Sequence, residues 1–191
     1  MEKLTKSVRF WLCATIIILN LIGCDRFIGN SGEPVERVSD GDTIVVKDTD
    51  GKNFTVRFAC VDAPEIAHTN KEKQSKRISD RNQFTWGVKA QERLQQLVQQ
   101  GGDRVTLNIT DSDRYGRKIA EVRLKNGTFV QQVLLQEGLA KVYRPYLNKC
   151  PSKDLVQQAE TEAKAQGLGV WSDTKFVNPW EYRSLYKKQK L

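Results

Sequence analysis

From Val35 onward the hydrophobic pattern reads as β-structure. Residues 43–47 alternate, with Ile44 and Val46 on one face, the period of a half-buried strand. Asp48-Thr49-Asp50-Gly51 supplies turn chemistry. Phe54, Val56, Phe58 and Cys60 then share one face of a second strand, which Pro64 ends, while Arg57 lies on the other face between Thr55 and Ala59. Residues 66–83 are polar and basic and read as an exposed loop. Helical spacing begins near Trp86 and places Ala90, Leu94, Leu97 and Val98 on the same side, until Gly101-Gly102 stops it. Strands are expected near 104–110 and 118–124, with Asn126-Gly127 as a turn. A short helix near 130–137 ends at Gly138, and 139–143 is expected to be extended. A last helix near 153–166 turns Leu155, Val156, Ala159 and Ala163 inward. About five short strands with a few helices predict a small α+β barrel, of which the OB-fold is one kind.

The N-terminus changes the picture of where such a domain works. Lys3, Lys6 and Arg9 precede an apolar stretch from Phe10 to Leu19, shorter than the roughly 20 residues that span a bilayer. Leu21-Ile22-Gly23-Cys24 follows and resembles the bacterial lipoprotein lipobox, which implies cleavage before Cys24 and lipidation of its thiol. An uncleaved anchor helix is the alternative, and both place the rest of the chain outside the cytoplasm, on a bacterial membrane. The expected organisation is a signal peptide at 1–23, a lipidated Cys24 with a flexible tether to residue 34, a domain at 35–175 and an aromatic, basic tail at 176–191. Cys13 would leave with the leader, so Cys60 and Cys150 remain as an even pair available for a disulfide in an oxidising compartment. The formal net charge of +8 favours anionic partners.

Four carboxylates sit at turns: Asp40 and Asp42 in Asp40-Gly41-Asp42-Thr43, and Asp62 and Glu65 in Val61-Asp62-Ala63-Pro64-Glu65. Hard divalent cations take oxygen ligands of this kind, although Asp and Gly also favour turns for local reasons. Arg57 leads into the second group, and Arg117 lies in Asp113-Arg114-Tyr115-Gly116-Arg117. Arginine offers a planar, permanently charged fork that suits phosphate oxygens. His68 is the single histidine, which removes schemes that need two histidines and any zinc site built on several.

The order of these segments resembles the staphylococcal nuclease (thermonuclease) family over residues 35–175. The resemblance runs through Asp40-Gly41-Asp42-Thr43, Arg57 with Val61-Asp62-Ala63-Pro64-Glu65, Arg114-Tyr115-Gly116-Arg117, Gly138-Leu139-Ala140-Lys141-Val142, Ala159-Glu160 with Ala163, and Gly169-Val170-Trp171. It implies a five-stranded OB-type barrel with about three helices and a calcium-dependent endonuclease that acts on DNA and RNA with low sequence specificity and leaves 3′-phosphorylated products. Asp42, Asp62 and the Ala63 carbonyl would hold Ca2+. Glu65 would orient or deprotonate water, and Arg57 and Arg117 would clamp the phosphate. Arg114, Tyr115 and either Tyr146 or Tyr143 would meet the nucleotide. Asp40 matches a motif position without an assigned role as ligand. No obligate protein partner is implied, and a monomer is expected. Two other readings stay open: a non-enzymatic module that binds nucleic acid or protein with the same barrel, and an envelope protein whose basic surface faces anionic lipid.

Overall fold

The structure, a computed structural model, describes residues 32–188. The expected leader, Cys24 and the first part of the tether lie outside the described residues. Five strands close a barrel in the order β1 (Glu33–Val38), β2 (Thr43–Lys47), β3 (Asn53–Phe58), β6 (Lys118–Leu124) and β5 (Arg104–Ser112). All pairs are antiparallel except β3 with β6. The short β4 (Val61–Asp62) pairs instead with β7 (Lys141–Val142).

The β2–β3 register opposes Ile44 to Val56 and Val46 to Phe54. Ile44, Val46, Val56 and Phe58 are buried, and Ala120, Val122 and Leu124 of β6 join them in the core. Five α-helices surround the barrel among the described residues: α1 (Asn70–Lys73), α2 (Ile78–Gln100), α3 (Val130–Gln136), α4 (Lys153–Ala165) and α5 (Pro179–Lys188). Leu94, Leu97 and Val98 of α2 and Leu134 and Leu135 of α3 complete the apolar cluster. None of these helices is long and apolar enough to cross a membrane.

Several elements differ from the sequence reading. Residues 66–83 are not one exposed loop: α1 and the first turns of α2 lie there. Asp80 and Gln83 are buried, which their hydrogen bonds make tolerable, so their polarity mimics solvent exposure. Glu33 and Pro34, expected in the tether, pair with Val105 and Arg104. β3 ends at Phe58, and the Ala59 N–H then turns to the Ala120 carbonyl (2.8 Å). Leu155 faces solvent, while its neighbour Val156 is buried. The helices outnumber the expected three because α1 falls within the supposed loop and α5 within the supposed tail.

Cys60 and Cys150 form a disulfide with Cα atoms 5.5 Å apart and a sequence separation of 90. It ties the turn after β3 to the segment that starts α4. A bridge closing so long a loop limits the unfolded chain and contributes about 4–5 kcal/mol on the chain-entropy account. The denatured, unreduced protein should therefore show no reactive thiol from this pair. Cys60→Ala with Cys150→Ala should lose stability of that order, read as a lower denaturant midpoint with a steeper slope, because the freed denatured chain exposes more surface.

Candidate active site

The site forms where the β2 and β3 ends meet the β4 turn. Asp42 directly precedes β2, and its carbonyl accepts the Phe58 N–H (2.8 Å) while Thr43 pairs with Arg57. This register places Asp42 beside Arg57. Asp40 Oδ1 accepts the Asp42 N–H (3.0 Å), which fixes the turn and uses Asp40 locally. Gly41 is required at its centre: a Cβ there would stand 2.7 Å from the Ala90 Cβ and 2.8 Å from the Ala63 Cβ.

Arg57 lies on the outer face of β3 because Val56 and Phe58 take the inner one. Its Nη1 donates to Asp42 Oδ1 (2.7 Å) and its Nη2 to Asp62 Oδ1 (2.5 Å). One guanidinium thus bridges two carboxylates that are 2% and 0% exposed. The Ala63 N–H donates to Asp42 Oδ2 (2.7 Å) and the Thr43 hydroxyl to Asp42 Oδ1 (3.2 Å). Burial raises the Asp42 pKa. Arg57 opposes that rise, Asp40 and Asp62 add to it, and the Ala63 N–H lowers it, leaving the carboxyl at about 8. Burial pulls the Arg57 pKa down, but the Asp42 and Asp62 charges outweigh it and hold the guanidinium above its ordinary value.

Glu65 follows on the same turn. Its N–H donates to Gln83 Oε1 (3.2 Å), and its carboxylate accepts from Arg183 Nη1 (2.6 Å). Arg183, on α5, also grips Asp62 with both prongs, Nη1 to Oδ1 at 3.0 Å and Nη2 to Oδ2 at 2.5 Å. Composition alone gave this residue no role. The signal that could have found it is Asn178-Pro179, a helix start, which makes the tail a docked element instead of a loose basic end. Gly87 of α2 underlies the turn, and a Cβ there would stand 2.1 Å from the Glu65 carbonyl oxygen.

The donor set of Asp42, Asp62 and the Ala63 carbonyl is all hard oxygen and suits a cation such as calcium, with water or substrate oxygens completing its shell. Among the described residues these aspartates gather no third acidic, histidine or cysteine side chain within 4.8 Å; the one group that does so is Cys60, Glu121 and Cys150. That group contains the disulfide, so it offers no thiolate ligand.

The other expected residues lie around this centre. Arg117 directly precedes β6, and its Nε donates to Asp113 Oδ2 (2.7 Å), so its own turn engages it. The β3–β6 register pairs Lys118 with Val56 and Ile119 with Arg57. Arg117 therefore falls two positions before the partner of Arg57, on the same side of the sheet by strand alternation. Arg114 Nη2 donates to the Tyr115 hydroxyl (2.8 Å) in this exposed turn. Tyr143 and Tyr146 stack with ring centroids 5.6 Å apart, and Trp180 packs on Tyr143 at 5.7 Å. His68 is exposed, and its N–H caps onto Glu72.

Residues 55–173 match the family described as staphylococcal nuclease homologue. The chain is 30% identical over 195 residues to a micrococcal nuclease of Shigella flexneri, with 98% of each chain covered. It is 35% identical over 149 residues to an uncharacterized endonuclease of Escherichia coli, covering 78% of this chain and 82% of that one. It is also 32% identical over 157 residues to Endonuclease YhcR of Bacillus subtilis, of which it spans only 12%.

The glycine beneath Glu65 gives a direct test of this geometry. Gly87→Ala should push the Glu65 carbonyl aside and misplace its carboxylate. A shift of about 1 Å can cost about 100-fold in rate. The expected outcome is a large loss of turnover with helix content retained, measured by a nuclease assay beside circular dichroism.

Proposed function

The chain belongs to the staphylococcal nuclease family, and from that premise we propose that it is a calcium-dependent endonuclease. It hydrolyses phosphodiester bonds of DNA and RNA with low sequence specificity and leaves 3′-phosphorylated products. The observation that carries the reading is the single guanidinium of Arg57 held between two buried carboxylates, with Glu65 on the same turn. A phosphodiester is anionic and repels an attacking hydroxide, so the site must supply positive charge where charge develops.

Asp42, Asp62 and the Ala63 carbonyl would hold the cation, which supplies Lewis-acid stabilisation of the phosphoryl oxygens. Arg57 is oriented by its two carboxylates and presents its remaining N–H groups to a phosphate. Arg117, two strand positions away on the same side, would supply a second fork once it leaves Asp113. Glu65 is the carboxylate on this turn with the greatest access to water, its side chain being 29% exposed against 3% and 0% for Asp42 and Asp62. It is the group to orient or deprotonate the nucleophile. Tyr143 and Tyr146, with Tyr146 the more exposed, would stack on bases without reading sequence. The basic surface adds sequence-independent attraction.

We place the enzyme outside the cytoplasm, lipid-anchored through Cys24 on a bacterial cell membrane. The lipobox-like Leu21-Ile22-Gly23-Cys24 supports this, and the Cys60–Cys150 bond suits an oxidising compartment. Mass spectrometry of the membrane fraction should find a lipidated Cys24 as the first residue, and an intact residue 1–23 segment there would reject the anchor.

Residues 25–191 should degrade plasmid DNA with calcium and not with chelator. Arg57→Lys keeps the charge but loses the fork, and should lose roughly 10³-fold in turnover, the low end for a phosphoryl-transfer arginine, while the fold survives. Arg117→Lys should behave similarly. Asp42→Ala should weaken calcium affinity and rate together, Glu65→Gln should lower rate more than affinity, and His68→Ala should change neither. Calcium-titrated turnover with circular dichroism reads all five. If the parent binds nucleic acid but cuts under no divalent ion, the binding-module reading replaces this one.

A further inference from the structure

The C-terminal helix α5 delivers a guanidinium to the same oxygens that a cation would need. Asp62 Oδ2 is taken by Arg183 Nη2, and Asp62 Oδ1 is shared by Arg57 and Arg183. Glu65 Oε1 accepts from Arg183 as well. Asp42, by contrast, is held by its own neighbourhood: Arg57, Thr43 and the Ala63 N–H. The two candidate ligands therefore differ. A cation reaching Asp42 meets only groups from the barrel strands and their turns, whereas a cation reaching Asp62 must share that carboxylate with a charge from the chain's far end.

The helix that carries Arg183 is firmly seated. Tyr182 is 7% exposed, and its hydroxyl donates to the buried Asp80 Oδ1 (3.1 Å). Its ring meets Phe84 edge-on at 6.2 Å, and Trp180 lies on Tyr143. The approach to the helix is fixed by Gln83 Nε2 on the Val177 carbonyl and by Lys141 Nζ on Asn178 Oδ1 (2.6 Å). The backbone at residue 183 is thus set by contacts that do not involve Arg183. Its side chain is 37% exposed, so the guanidinium can leave Asp62 while the helix stays in place. A fork that neutralises a buried carboxylate, sits at the solvent side and hangs from a rigid support has the attributes of a displaceable counter-charge.

We propose that Arg183 is a positioning residue that stands in for the divalent cation. It holds Asp62 and Glu65 in place when no cation is bound, and it yields Asp62 when the cation arrives, with α5 remaining docked. The inference rests on the reading of Asp42 and Asp62 as the cation site. Removing the fork should remove a competitor and a like charge at one stroke.

The test is calcium binding to the full chain without nucleic acid, by isothermal titration, for the parent, Arg183→Gln and Arg183→Lys. If the fork leaves the site competent about a tenth of the time, Arg183→Gln should bind calcium about tenfold tighter. Arg183→Lys, which keeps charge without the bidentate grip, should fall between it and the parent. In chelator, Arg183→Gln should melt below the parent by circular dichroism, and calcium should raise its midpoint more than it raises the parent's. Equal or weaker calcium binding by Arg183→Gln would overturn the proposal while leaving the cation site standing. Should that variant not fold in chelator, Arg183→Lys decides: tighter binding than the parent supports the proposal, and equal or weaker binding rejects it. A parent that takes up no divalent ion would reject both the site and this role for Arg183.

Discussion

The bridge from Arg57 to Asp42 and Asp62 is the constraint on which the rest of the site depends. Two carboxylates buried this deeply repel each other and lose their hydration, and neither is tolerable without a fixed counter-charge. The guanidinium supplies it with separate prongs to separate acids. The same strand register that opposes Ile44 to Val56 in the barrel opposes Thr43 to Arg57 at its rim. A slip of one residue would turn Arg57 into the core and Val56 outward, so apolar packing and site electrostatics select the same pairing. The site is in this sense a consequence of barrel closure.

The acidic turn has only a two-residue strand of its own, so it is held by links from elsewhere. The Ala59 N–H reaches Ala120 of β6, and the Cys60 carbonyl accepts the Tyr143 N–H. The disulfide anchors Cys60 to the segment before α4, and Gln83 takes the Glu65 N–H from α2. Gly41 and Gly87 let the two acidic turns and the helix approach closely. Each link comes from a different element, so the carboxylate positions report on the assembly of the whole domain. This is how side chains on a turn reach the precision usually given by rigid elements.

Much of this was legible in the sequence because it obeys short-range rules. The β2 alternation, the β6 strand and the Gly-terminated α3 and α4 follow from period and turn chemistry, and their observed bounds lie within one or two residues of the expected ones. Asp42, Arg57, Asp62 and Glu65 could be named because ordered motifs carried them. What period and composition could not reveal were polar residues whose partners are remote. Asp80 and Gln83 looked solvated, yet Asp80 is held by Ser75, Arg77 and Tyr182, and Gln83 by Glu65 and Val177. Arg183 lies more than a hundred residues from the acids it binds, and although Asn178-Pro179 marks a helix start there, no local pattern says which partners that helix meets.

Charge balance explains why an additional arginine belongs in a site of this chemistry. Asp42, Asp62 and Glu65 bring three formal negative charges, and Arg57 and Arg183 bring two positive ones. The cation-free cluster is then close to neutral, which lets it stay ordered with two of its acids out of water. A divalent ion would turn the cluster net positive, and a phosphodiester would bring it back to neutrality. Without Arg183 the resting cluster would carry one more uncompensated charge, which costs stability and order in the cation-free protein. Loss of that order would cost more at Glu65 than at Asp42, because the Asp42 carboxylate is held by Thr43, Arg57 and the Ala63 N–H while the Glu65 carboxylate is steadied by Arg183. On the proposed reading, a site that takes up a divalent cation gains from a counter-charge that holds its acids in place beforehand, and a side chain on a docked helix can supply it without closing the site.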